Sequence, residues 1–173
     1  MTMKPLFAAL VLLLPTLALA KSSLSPQLSV FEPYLGTWQA QFQPAPAQEQ
    51  VTDVSQWQRA LNGTAIRTLH SINDGDYGGE SLIFWDQSRQ KLVFYYFTTA
   101  SFYTQGWLEV GDDGSFTAYE EVTGSAQGIT QVKSTSQFVD GKIVVSTQYL
   151  QNEQWTSPQI RTYTRSDKAV VFK

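Results

Sequence analysis

The chain has no cysteine and only one histidine in 173 residues. The first absence excludes disulfides, thiolate nucleophiles, iron–sulfur clusters and cysteine zinc sites. It also argues against a lipoprotein, which needs a cysteine after its leader. The second leaves His70 as the sole imidazole, so a zinc site would have to be completed by carboxylates. A basic surplus is missing too: the formal net charge is −3. That argues against a nucleic-acid partner, which calls for a basic stripe, and against docking on anionic lipid. The Gly-x-Ser-x-Gly elbow of serine hydrolases is absent. After residue 20 no apolar run approaches the roughly 20 residues that span a membrane.

The first 20 residues carry an address. Lys4 is followed by an unbroken apolar run over 6–14, broken at Pro15, and Ala18-Leu19-Ala20 offers the small residues that a signal peptidase accepts. This reads as a cleaved secretory signal peptide, too short for an anchor. Cleavage after Ala20 removes Lys4, the leader's one charge, and takes the net charge from −3 to −4. The expected destination is the periplasm. Residues 21–35 then form a polar tail and a helical cap, with Leu24, Leu28, Phe31 and Leu35 at helical spacing and Pro33 keeping the helix short.

Residues 36–173 read as one domain. Trp38, Ala40 and Phe42 alternate with Thr37, Gln39 and Gln41, a half-buried strand. Further strands are expected over 51–61, 64–72, 80–86, 91–100, 102–110, 115–122, 129–139, 142–150 and 158–165. Asn62-Gly63 and Asp140-Gly141 are hairpin signals, and 73–79 is expected to be a loop. About ten strands at 8–12 residue intervals predict an all-β, up-and-down antiparallel meander. Closing it into a barrel removes both edges, and ten strands leave room for a cavity. A sandwich is the alternative that spacing alone leaves open. With no disulfide, the core alone holds the domain, and aromatic residues at 13% of the chain supply it.

Several residues suggest chemistry. His70 shares a strand face with Ile66, Thr68 and Ile72, the expected interior, with Arg67 on the other side. It would serve as a ligand contact or a base; a paired structural histidine is the plainer reading. Glu120 and Glu121 are adjacent on a strand and point to opposite faces, so they form no carboxylate pair. Glu120 shares the face of Phe116, Ala118 and Val122. Asn73-Asp74-Gly75-Asp76 misses the calcium-loop spacing. The candidate lumen set is Trp57, His70, Tyr96, Tyr103, Trp107 and Tyr119, aromatic side chains suited to an amphipathic small molecule. Trp85, Tyr95 and Phe97 take the opposite phase.

A helical turn followed by Gly36-Thr37-Trp38, with an arginine on the last strand, resembles the calycin pattern of lipocalins, fatty-acid-binding proteins and nitrobindin-like barrels. The resemblance implies that the turn closes one barrel end and that Trp38 packs under Arg161 or Arg165, Arg165 being nearer the chain end. The stretches from Trp57 to Thr64, Gly79 to Asp86 and Tyr95 to Trp107 are similar to uncharacterised bacterial lipocalin-like proteins, a domain of unknown function. That likeness implies a fold and no catalytic residue. Nitrobindin-like barrels hold haem on a histidine near the C-terminal end; His70 stands on the third strand instead, and Gln39-Ala40-Gln41-Phe42 replaces the family's glycine-rich continuation. No cofactor is therefore expected. The leading functional reading is a barrel binding a small apolar or amphipathic molecule. The alternatives are an enzyme with His70 as base and a scaffold with a filled lumen. The oligomeric state has no sequence signal.

Overall fold

The computed structural model describes residues 23–43, 49–123, 125 and 127–173. The expected signal peptide, residues 44–48 of the loop over 44–50 and parts of the loop over 123–128 lie outside the described residues. Eleven strands form one antiparallel sheet: β1 (Gly36–Phe42), β2 (Val51–Ala60), β3 (Ala65–Ile72), β4 (Tyr77–Asp86), β5 (Lys91–Thr98), β6 (Tyr103–Val110), β7 (Phe116–Glu121), β8 (Ile129–Val139), β9 (Lys142–Gln151), β10 (Gln154–Trp155) and β11 (Gln159–Arg165). Each strand from β1 to β9 pairs with the next, β11 pairs with β9, and β1 pairs with β11. The result is a closed ten-stranded barrel, with two-residue β10 added to β9 beyond the end of β11. Closure rather than a sandwich is the outcome, and no sheet edge is left along the barrel.

Turn chemistry sets the registers. Asp140 and Gly141 both have positive φ, 50° and 74°, as a tight two-residue hairpin requires. The Asn62-Gly63 turn is a short 3-10 segment, Leu61–Gly63, that also draws in Leu61. Strand β4 starts three residues earlier than expected, so Tyr77 belongs to the sheet and not to a loop.

One end is plugged. A 3-10 helix, Pro26–Tyr34, buries Leu28, Phe31 and Tyr34 completely. The buried spacing is three residues, because a 3-10 helix has three per turn. Leu24 and Leu35, placed on that face by the sequence reading, are packed only partly against the core. Phe31 and Tyr34 each meet the Phe116 ring edge-on at 5.1 Å, a favoured aromatic geometry. Trp38 is fully buried beside them, and its Nε1 donates to the Tyr34 carbonyl at 2.6 Å. The Arg165 guanidinium lies 3.8 Å from the Trp38 ring. It donates to the carbonyls of Leu35 (2.5 Å) and Pro33 (3.2 Å). Of the two candidate arginines, Arg165 makes this seal. Arg161 stacks instead on Phe42 at 3.8 Å, because the β1–β11 register sets Arg165 opposite Trp38. Gly36 makes the notch through which Arg165 passes: a Cβ there would lie 2.2 Å from Nη1.

Residues 166–173 run back across the outside of β3 and β4. The Val171 N–H donates to Ser71 Oγ at 3.1 Å, and Lys173 pairs with Asp76 at 3.1 Å. On the same outer face Arg67 holds Glu80 through two hydrogen bonds of 2.8 and 2.7 Å. Among the described residues no helix is long and apolar enough to cross a membrane.

Candidate functional site

Alternation along each strand decides what enters the lumen. The β2–β3 register sets Ser55 opposite His70 and Asp53 opposite Ile72, so Asp53 and His70 are diagonal neighbours on the inner face. His70 Nδ1 lies 3.3 Å from Asp53 Oδ1, and His70 Nε2 lies 2.7 Å from the Tyr96 hydroxyl. Tyr163 donates to the other Asp53 oxygen at 2.8 Å, and the Tyr96 and Tyr77 hydroxyls are 3.1 Å apart. Five side chains from five strands thus make one chain of hydrogen bonds across the lumen: Tyr163, Asp53, His70, Tyr96 and Tyr77.

The chain has a definite proton logic. Burial, and then the hydrogen bond with Tyr77, push the Tyr96 phenol far up; burial and then the Asp53 charge do the same to Tyr163. Both phenols therefore keep their protons. Tyr96 donates to Tyr77 at 3.1 Å, so its oxygen is placed to accept from His70 Nε2–H. Both ring nitrogens are engaged, so His70 meets the cavity only through Tyr96.

Glu120 is the second polar centre. It accepts a hydrogen bond from Thr104 at 2.6 Å. Burial pushes its carboxyl above the ordinary glutamate range, against the smaller lowering effects of Thr104 and His70. A carboxyl raised on folding adds stability that is fully present below its unfolded value and is lost as pH rises through the folded value. Glu120→Gln removes that loss. Urea unfolding of both proteins between pH 4.5 and 8 is expected to show the variant gaining on the parent as pH rises. Parallel curves would contradict this account.

Three cavities follow the barrel axis. At the open mouth a space of about 510 Å³ is lined by Tyr77, Tyr96, Phe102, Thr104, Glu120 and Tyr149, among others. A mid-barrel space of about 250 Å³ shares Tyr96 and Glu120 with the mouth. A deeper one of about 170 Å³ shares Trp57 and Ser136 with the middle space and reaches Trp38. Side chains shared between neighbours form the partitions. The mouth alone falls within the range of small-molecule pockets, roughly 300–1,000 Å³.

No protein-family model matches the chain, and no curated protein matches it significantly.

Of the six candidate lumen residues, the structure brings together Trp57, His70 and Tyr96 inside the barrel. Tyr103, Trp107 and Tyr119 lie on the outside, which corrects their assignment. Trp107 and Tyr119 stack on each other at 5.2 Å on the outer surface, and Tyr103 is 61% exposed beside Phe97. The physical reason is Gly106. It pairs with inward Phe94 and Glu120, so the even positions of β6, Thr104 and Leu108, point in and the odd ones point out. Trp85 is corrected in the other direction: it shares the face of Ile83 and packs against the core. Sequence reasoning missed Asp53, Tyr77 and Thr104. The signal for Asp53 was available, because counting back from Asn62-Gly63 sets Ser55 opposite His70 and Asp53 two residues on.

Proposed function

We propose that this protein is an exported, calycin-like binding module that holds a small apolar or amphipathic molecule in its lumen, in the periplasm. One observation carries the reading: a roughly 510 Å³ mouth with mostly apolar walls opens at the end of the barrel away from the plug, and a few convergent polar groups stand at its floor. Desolvation of aromatic walls supplies affinity, and the Tyr96, Tyr77 and Glu120 groups fix orientation. The helical plug and the Trp38–Arg165 seal support kinship with the calycin group. The leader over residues 1–20 supports export.

A second reading is favoured by one observation. The Asp53–His70–Tyr96 chain is the orienter, base and proton donor arrangement that an acid–base enzyme uses. In that reading Tyr96 is the group that touches the substrate, with His70 acting through it. A filled scaffold is the weakest of the three, since three cavities interrupt the packing.

The test is native mass spectrometry of the protein taken gently from the producing cell's envelope fraction. The expected result is the mass of residues 21–173 with a small molecule bound. A chain that is bare, and stays bare after exposure to a lipid extract, would overturn the binding reading. A mass that still includes residues 1–20 would overturn export by cleavage.

A further inference from the structure

Among the described residues lining the three cavities there is no lysine or arginine, and Glu120 is the acid that lines two of them. The arginines near the lumen are committed elsewhere. Arg165 seals Trp38 and two carbonyls, Arg161 covers Phe42, and Arg59 binds Glu32. Among the described residues Glu120 has one hydrogen-bond partner, the neutral hydroxyl of Thr104. The titratable groups around it are phenols, Tyr96 and Tyr77 from β5 and β4 and Tyr149 from β9. His70 and Asp53 lie behind Tyr96.

We propose that the lumen selects a cationic amphiphile, an alkyl or aryl amine or a quaternary ammonium, with its charged head at Glu120 and its apolar body in the mouth cavity. The inference rests on the lumen-binding reading above. Charge complementarity carries it. A carboxylate removed from water without a cation is costly, and the hydroxyl of Thr104 is a neutral partner. A bound ammonium supplies the missing counter-charge. The Tyr96, Tyr77, Tyr149 and Phe102 side chains line the mouth, and aromatic rings are attractive surroundings for such a head. An anionic head would be buried beside Glu120, with no lysine or arginine among the described lining residues to meet it. A neutral head would gain only hydrogen bonds.

The experiment keeps the apolar body constant and changes the head. Decylammonium, decyltrimethylammonium, decanol and decanoate are titrated calorimetrically into the mature protein and into Glu120→Gln, each below its micelle concentration. Both cations are expected to bind the parent about tenfold or more tighter than decanol, with decanoate weakest, given the strength of a partly buried ion pair with aromatic support. Glu120→Gln is expected to erase the cation preference, bringing both cations to about the affinity of decanol for the same variant. The head-group order in the parent stands on its own should the variant fold poorly. Decanoate binding as tightly as decylammonium would overturn the cation inference and leave lumen binding intact. Cations binding best with no loss in a folded Glu120→Gln would overturn the role of Glu120. Failure of all four to bind would overturn both readings.

Discussion

Replacing Trp38 with alanine is expected to destabilise the protein by about 3–5 kcal/mol, the range for deleting a large buried aromatic side chain. Trp38 is fully buried and is the point at which three parts of the fold meet. Its indole N–H holds the Tyr34 carbonyl of the plug at 2.6 Å. Its ring meets Phe138 from β8 at 6.1 Å. Its face carries Arg165 from β11. Alanine removes the area and leaves a cavity, and it also frees a guanidinium whose place was defined by the ring. Domains of this size have roughly 5–15 kcal/mol of total stability, so the variant should stand near the edge of folding. Arg165→Ala should cost less, about 1–3 kcal/mol, because it leaves the Leu35 and Pro33 carbonyls without their donor and removes one cation–π contact. Urea unfolding midpoints at a common m-value check both. A Trp38→Ala loss below that of Arg165→Ala would show that the plug, not the indole, organises this end.

Gly106→Ala is expected to be the most damaging single-methyl change in the molecule, at or beyond the upper end of the 1–3 kcal/mol typical of overpacking. A Cβ at this position would lie 1.9 Å from the Tyr119 carbonyl oxygen and 2.7 Å from the Phe94 ring. The ring can turn aside, but the neighbouring strand's backbone cannot move without breaking the β6–β7 ladder. Phe94→Leu in the same chain should therefore recover only a small part of the loss. Full recovery would mean that the ring alone was the obstacle. The same substitution tests the phase of β6, because nothing but a glycine here lets Thr104 reach Glu120 while Phe94 fills the lumen opposite.

Much of the fold was legible because period-two alternation and turn residues agreed along most of the chain. β1 shows it plainly: Trp38 and Ala40 are buried, while Thr37, Gln39 and Gln41 face the other way. The inward aim of His70 and the outward aim of Arg67 followed from the same rule. It failed on β5 to β7, where aromatic residues occupy both faces and apolarity no longer distinguishes inside from outside. There the informative residue was Gly106, and the informative fact was what stands across from it. The Asp53–His70 pair was legible in principle through hairpin counting. The link from His70 on β3 to Tyr96 on β5 was not. It depends on side-chain reach over the strand between them, and alternation along a strand says nothing about distance between strands that are not neighbours.

The seam between β1 and β11 has a consequence in time. Arg165 reaches the Leu35 carbonyl across 130 residues of sequence, so the barrel's first strand waits for its last. Folds dominated by such long-range pairings reach their native state in milliseconds to seconds, not microseconds, because loop closure is paid before the contacts form. Until β11 arrives, the sheet has two open edges and an exposed aromatic interior, and it cannot lock. The chain therefore passes through an interval in which this seam is open and the sheet stays pliable. Strengthening local hairpins, for example at Asp140-Gly141, would leave that interval almost untouched, whereas joining β1 to β11 covalently would shorten it.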